Sequence, residues 1–275
     1  MKVSILTDNI VKKRGFLAEH GLSLYIEHGG INILFDTGQS SVYCHNAVAM
    51  GIDLQNTDGI VLSHGHYDHC GGLIHFPKTS KYPAIYAHRQ AFYKRYFKIS
   101  LNKEFKDISI PWGLAEHPDI QKSLIYTPKM LNPYPTVHIL TEIPSSTDFE
   151  DIAKDFFIFQ SEHMITDMFF DEQILVIETK AGLVIFLGCS HLGVINCLNY
   201  VRKCFPEQSI YALFAGMHME EASPLRVEMT IHYMMEYKIQ NVVPMHCTGI
   251  LSICEMKRFL KECCHVCAAG DVINI

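Results

Sequence analysis

The six residues His64-Gly65-His66-Tyr67-Asp68-His69 hold three imidazoles and a carboxylate. One tetrahedral ion cannot easily take four donors from so short a segment, whereas two divalent ions a few ångströms apart can share them. A single histidine in such a place is more often a packed or solvated side chain; the density of donors is what points to metal binding. Gly65 lets the chain turn between donors, and Gly71-Gly72 permits close packing behind them. Three further apolar runs end in histidine, at His191, His218 and His246. In sheets covered by helices the loops at one set of strand ends meet in a crevice, so the four strand-end histidines, His64 included, are expected at one edge. Imidazoles with a carboxylate suit Zn²⁺, and Fe²⁺ or Mn²⁺ are also compatible with these ligand types.

The elements that deliver these residues follow from apolar periodicity and turn signals. Residues 3–6 read as a strand, and 22–27 with 31–36 as a hairpin turning at His28-Gly29-Gly30. A helix over 40–50 and a strand over 59–63 lead into His64. A second strand pair, 173–179 and 183–187, precedes a helix over 194–204 and a strand over 210–214. A helix opened by Ser223-Pro224, a strand over 241–245, a helix over about 248–262 and an edge strand over 272–275 complete the chain. The second half repeats the first in outline, and the alternation implies a mixed α/β (α+β) fold. Between 77 and 150 fall eight of the eleven prolines and a single glycine, Gly113. That texture reads as an irregular insertion with one helix near 88–99, forming a lid or cap within one domain of residues 1–275. The helix mixes cations with rings, which leaves two readings: Arg89 and Arg95 are anion contacts for a phosphorylated, ring-containing small molecule, with Tyr67 facing it from the metal loop, or Phe92, Tyr96 and Ile99 face the core, the charges are solvated and Tyr67 only packs.

Composition narrows the partners. With 48% hydrophobic and 19% charged residues in 275, the chain has ample apolar surface for a core and is not disordered. A net charge of −6 without a long basic tract argues against nucleic acid. No run approaches the ~20 apolar residues of a membrane span, so no membrane partner is expected. Residues 1–15 lack an apolar stretch of signal-peptide length and the ten cysteines are scattered, so the expected location is cytoplasmic. The cluster Cys263-Cys264-His265-Val266-Cys267 is then a set of reduced thiols. Oligomeric state has no signature in the sequence.

His64-x-His66-x-Asp68-His69 resembles the signature of the metallo-β-lactamase superfamily, and the likeness runs from Asp36-Thr37-Gly38 to His246. More narrowly, Ala18-Glu19-His20-Gly21-Leu22-Ser23, Gly188-Cys189-Ser190-His191 and Pro244-Met245-His246-Cys247-Thr248-Gly249 resemble a branch that contains pterin-type synthases of methanopterin assembly and proteins known simply as metal-dependent hydrolases. The resemblance implies a four-layer αββα sandwich with a dinuclear site. It gives His64 and His66 to a first ion, and Asp68, His69 and His246 to a second. His191 is taken as the third ligand of the first ion in preference to His163 or Asp171, Cys189 is an alternative in a bridging position, and His218 is a ligand, a substrate contact or a supporting histidine. A histidine at 66, where diiron oxidoreductases of the superfamily carry glutamate, implies non-redox chemistry. The implied activity is hydrolysis of an ester or phosphoester-type small molecule, two ions acidifying a water that Asp68 orients. One alternative is a transferase joining a dihydropterin-methyl diphosphate to a ribofuranosylaminobenzene phosphate; another is a non-catalytic, metal-dependent ligand binder.

Overall fold

Short apolar strands closed by tight turns build a sheet in each of two units of the chain. The computed structural model describes residues 1–78, 81–99, 104–151 and 154–275. The first unit comprises Met1–Thr127, Ala153–Asp171 and Ala268–Ile275; the second comprises Pro128–Ile152 and Glu172–Cys267.

In the first unit, a seven-stranded sheet runs in the order Val272–Asn274, Lys2–Thr7, Ser23–His28, Ile31–Phe35, Gly59–Val61, Ala84–Ala87 and Leu124–Tyr126. The hairpin pairs Leu24 with Phe35 and His28 with Ile31, as the glycine turn predicts. From Ile31–Phe35 onward the strands are parallel. The carboxyl ends of three neighbours therefore share one edge, which carries Asp36, Ser63-His64 and His88. Helix Val42–Ala49 covers the sheet with Tyr43, Asn46 and Ala47 buried. The Asn46 amide does not cost desolvation, because it donates to Leu6 O at 2.7 Å and Leu17 O at 2.8 Å and accepts from Leu17 N at 2.9 Å. Leu6, Leu34, Ile60, Leu73 and Ile85 are fully buried around it. Each such side chain contributes about 1.5–3 kcal/mol.

The second unit holds a six-stranded sheet in the order Asn241–Met245, Ile210–Gly216, Gly182–Leu187, Ile174–Thr179, Val137–Leu140 and Met130–Tyr134. The first three strands are parallel, so one edge of this sheet carries Cys189 to His191, His218 and His246. The hairpin, the crossover helix Val194–Cys204 and the parallel strand repeat the plan of the first unit. That helix starts on the Glu150 carboxylate, which accepts from Ile195 N at 2.9 Å and Asn196 N at 2.8 Å. Helix Pro224–Glu236 starts on Ser223, whose hydroxyl accepts from Arg226 N. Among the described residues, no helix is long and apolar enough to cross a membrane.

Two expectations for 77–150 need correction. Residues 88–99 do not form a helix: a 3₁₀ turn at Arg89–Phe92 is followed by the strand Lys94–Lys98. That strand joins a four-stranded antiparallel sheet in the order His163–Thr166, Phe156–Gln160, Lys94–Lys98 and Phe105–Asp107. Nor do the described parts of 77–150 form a separate lid, because their strands are shared among all three sheets; residues 79, 80 and 100–103 lie outside the described residues. Proline misled there. Pro133 lies in the edge strand Met130–Tyr134, where no ladder bond from its nitrogen is needed.

Candidate metal centre

Strand Gly59–Val61 ends in a fully buried loop that the neighbouring strand end locks. The Asp36 carboxylate accepts from Ser63 N at 2.7 Å, from Ser63 Oγ at 2.7 Å and from His69 Nδ1 at 2.7 Å. Ser63 has one hydroxyl proton and gives it to Asp36, so the 2.9 Å contact with His64 Nδ1 has the imidazole donating. His64 and His69 are thereby fixed as the tautomers with a bare Nε2. A carboxylate behind a histidine is the arrangement that orients metal-ligating imidazoles. Burial, and after it His69 and His66 nearby, hold the His64 pKa well below its ordinary value, so its ring is neutral and in the form that binds metal.

His64 Nε2 and His66 Nδ1 lie 3.0 Å apart. Two nitrogens on one tetrahedral zinc, each at about 2.0–2.1 Å, are separated by roughly 3.3 Å, so this pair fits a shared ion. The Asp68 Oδ2 oxygen lies 3.7 Å from His69 Nε2 and 3.2 Å from His20 Nε2. His20 therefore borders the loop. Tyr67 is half-buried, with Lys106 Nζ 5.6 Å from its ring centre. Cys70 is an inert thiol: burial pushes its pKa well up, and it donates to His64 O at 3.0 Å.

The loop is also held from below. Gly65 N donates to Asp171 Oδ2 at 2.7 Å, and Arg95 Nη2 meets Asp171 Oδ1 at 2.7 Å. Arg95 further donates from Nε to Asp167 at 3.0 Å and from Nη1 to Gln90 O at 2.8 Å. Arg95 is 1% exposed, which corrects its expected role as a substrate anion contact: its charge is spent on two buried carboxylates. Asp171, weighed as a ligand, is instead the brace of the loop. Arg89 is exposed and its guanidinium lies over the Tyr126 ring, 4.5 Å from the centroid. His163 is exposed on the strand His163–Thr166.

Gly65 packs so closely that a Cβ there would lie 1.9 Å from Ala91 O. Gly65→Ala should therefore cost about 1–3 kcal/mol and displace the histidines on either side. Thermal unfolding and metal content measured together check this, and a variant matching the wild type in both would contradict it.

In the second unit, Cys189, His191 and His246 are buried at the shared strand edge and His218 is half-buried. Glu172 accepts from His191 N at 2.7 Å and Leu192 N at 2.9 Å, fixing the loop that carries His191. The rings of His191 and His218 lie 4.6 Å apart. His218 N donates to Cys247 Sγ at 3.3 Å, and the Cys247 thiol lies 3.7 Å from Cys189 O. Burial alone would raise the Cys247 pKa; the Cys189 thiol, His246 and His218 outweigh it and hold the thiol well below its ordinary value. Gly216 permits the close approach of these strand ends, since a Cβ there would lie 2.3 Å from Gly188 O.

Asp36, Ser190, His218 and His246 all follow strands with left-handed backbone, at φ 56, 54, 46 and 51°. Each such residue costs about 1–3 kcal/mol, and strain of this kind gathers where side-chain aim matters. Sequence reading left out Ser63, Arg95 as a brace, Glu172 and Cys247. A polar residue directly after an apolar strand was the available signal for Ser63; nothing local marked the others.

Residues 18–148 match the family model of the metallo-beta-lactamase superfamily. The chain also superposes on the crystal structure of Tm1679, a metal-dependent hydrolase of the beta-lactamase superfamily, with a TM-score of 0.85 and 28% identity over 100% of this chain and 99% of that one. The fold and the histidine loop within residues 18–148 are thus those of a metallo-β-lactamase domain. Two proteins of Methanocaldococcus jannaschii are similar along nearly their whole length. One, uncharacterized, is 28% identical over 93% of this chain and 94% of its own. The other is the 7,8-dihydropterin-6-methyl-4-(beta-D-ribofuranosyl)-aminobenzene-5'-phosphate synthase, 28% identical over 94% of this chain and 91% of its own.

Proposed function

We propose that the protein is a metal-dependent hydrolase of ester or phosphoester-type small molecules. His64, His66 and His191 hold one divalent ion, and Asp68, His69 and His246 hold a second, with Zn²⁺ as the ion best matched to these donors. Cys189 is available as a further ligand. The observation that carries this reading is the pair of ring nitrogens of His64 and His66, 3.0 Å apart, with the far side of His64 locked through Ser63 to Asp36. When bound, such ions supply Lewis acidity toward a carbonyl or phosphoryl oxygen and acidify water. Asp68 orients the attacking water and accepts its hydrogen bond, with His20 steadying the carboxylate at 3.2 Å. His218, Tyr67 and Arg89 are the substrate contacts on this reading.

A second reading is group transfer between a dihydropterin-methyl diphosphate and a ribofuranosylaminobenzene phosphate. It is favoured by the 28% identity with the M. jannaschii synthase over 94% of this chain. Screening the metal-loaded protein against phosphodiesters, lactones and the pterin diphosphate with and without its aryl partner separates the readings. Product from a single substrate, abolished by chelation, supports hydrolysis; pyrophosphate released only with both partners present selects transfer.

The ligand assignment has its own test. His191→Ala should lower bound metal, whereas His163→Ala should not, as measured by metal analysis of both variants. A loss confined to His163→Ala would overturn the choice of His191.

A further inference from the structure

Residues 108–112 run along the metal loop within the first unit. Tyr67 N donates to Ile108 O at 3.1 Å, His66 and Ser109 form an antiparallel bridge, and Trp112 Nε1 donates to Cys70 O at 3.0 Å. Residues 109–112 of that segment line a cavity of about 730 Å³, a volume typical of small-molecule sites. Phe92, Tyr93, Lys94, Glu116 and His117 complete the part of the lining that matters here. Phe92 and His117 stand edge-to-face against Trp112, with ring centroids 6.3 and 5.9 Å away. The indole N–H is committed to Cys70, so the ring itself is what Trp112 offers the cavity. Lys94 pairs with Asp107 at 3.6 Å with both side chains more than half exposed, an ion pair worth little and easily exchanged for a buried anion.

We propose that this cavity binds a planar aromatic ring carrying an anionic group, and that it is the ring subsite for the substrate of the metal centre; the second part rests on the function proposed above. Ring edges and faces recognise a π-surface, and an ammonium beside them recognises the charge. Lys94 thus takes the part that Arg95, buried against two carboxylates, does not.

Trp112 is the chain's one tryptophan, so its emission reports on the cavity. Phenyl phosphate is titrated into the full-length protein after metal removal, with cyclohexyl phosphate as the saturated counterpart. A saturable fluorescence change is expected with phenyl phosphate and at least tenfold weaker binding with cyclohexyl phosphate. Phe92→Ala and Lys94→Met should each weaken phenyl phosphate roughly tenfold. Lys94 is exposed, so its variant keeps the test alive if Phe92→Ala does not fold. No titration with phenyl phosphate, equal affinity for the two phosphates, or unchanged binding by Lys94→Met would overturn the proposal. The two readings fail separately: a protein that binds phenyl phosphate here yet takes up no divalent ion keeps the cavity and loses the metal site, and one that turns over with metal yet shows no titration does the reverse.

Discussion

His66→Ala should lose both metal and turnover while keeping its fold. Removing a partner behind a ligand costs about 10–100-fold in metal affinity or activity, so removing a direct ligand should cost more than 100-fold. The fold should survive because His66 sits in the loop ahead of the short helix Tyr67–Cys70, where its ring stacks on Phe156, 5.8 Å away. Metal analysis and circular dichroism on the same sample check this. Stoichiometric metal in the variant would refute the assignment of His66.

Arg95→Met should instead unfold readily. Asp167 and Asp171 are 2% and 0% exposed, and without the guanidinium they remain as uncompensated buried charges. Breaking a buried pair from one side costs about 3–5 kcal/mol, measurable by chemical denaturation. Burial already pushes the Asp167 carboxyl above its ordinary range, with Arg95 opposing and Asp171 adding to the rise. A carboxyl whose folded pKa exceeds its unfolded value stabilises the fold below the unfolded pKa, and that contribution is lost as pH rises through the folded pKa. The deficit of Arg95→Met should therefore shrink as pH is lowered into the carboxylate range. A deficit under about 1 kcal/mol at neutral pH, or one that grows on acidification, would mean that the carboxylates do not depend on Arg95.

These two residues also mark the limit of what the sequence reveals. His66 was legible because a short apolar strand runs straight into a cluster of donors, and the strand fixes where the cluster lies. The edge strand Asn241–Met245 and the helix Val194–Cys204 were legible for a similar reason, since local apolar pattern decides both. Arg95 was not. Its spacing with Phe92, Tyr96 and Ile99 suits a helix face, but Tyr96 pairs with Phe157 and Phe97 with Phe156 in a sheet, partners some 60 residues away. Cross-strand packing of this kind overrides local propensity and leaves no local trace. Its carboxylate partner Asp167 is 72 positions away in sequence, so a buried brace looked like a free cation.

The most direct test of the central claim is metal stoichiometry with X-ray absorption on the wild-type protein purified with zinc. Two ions per chain, in a shell of imidazole nitrogen and carboxylate oxygen with a metal–metal distance of a few ångströms, is the result expected. A chain that binds no zinc, or binds it in a thiolate-only shell such as the Cys263-Cys264-Cys267 cluster would provide, would contradict the account.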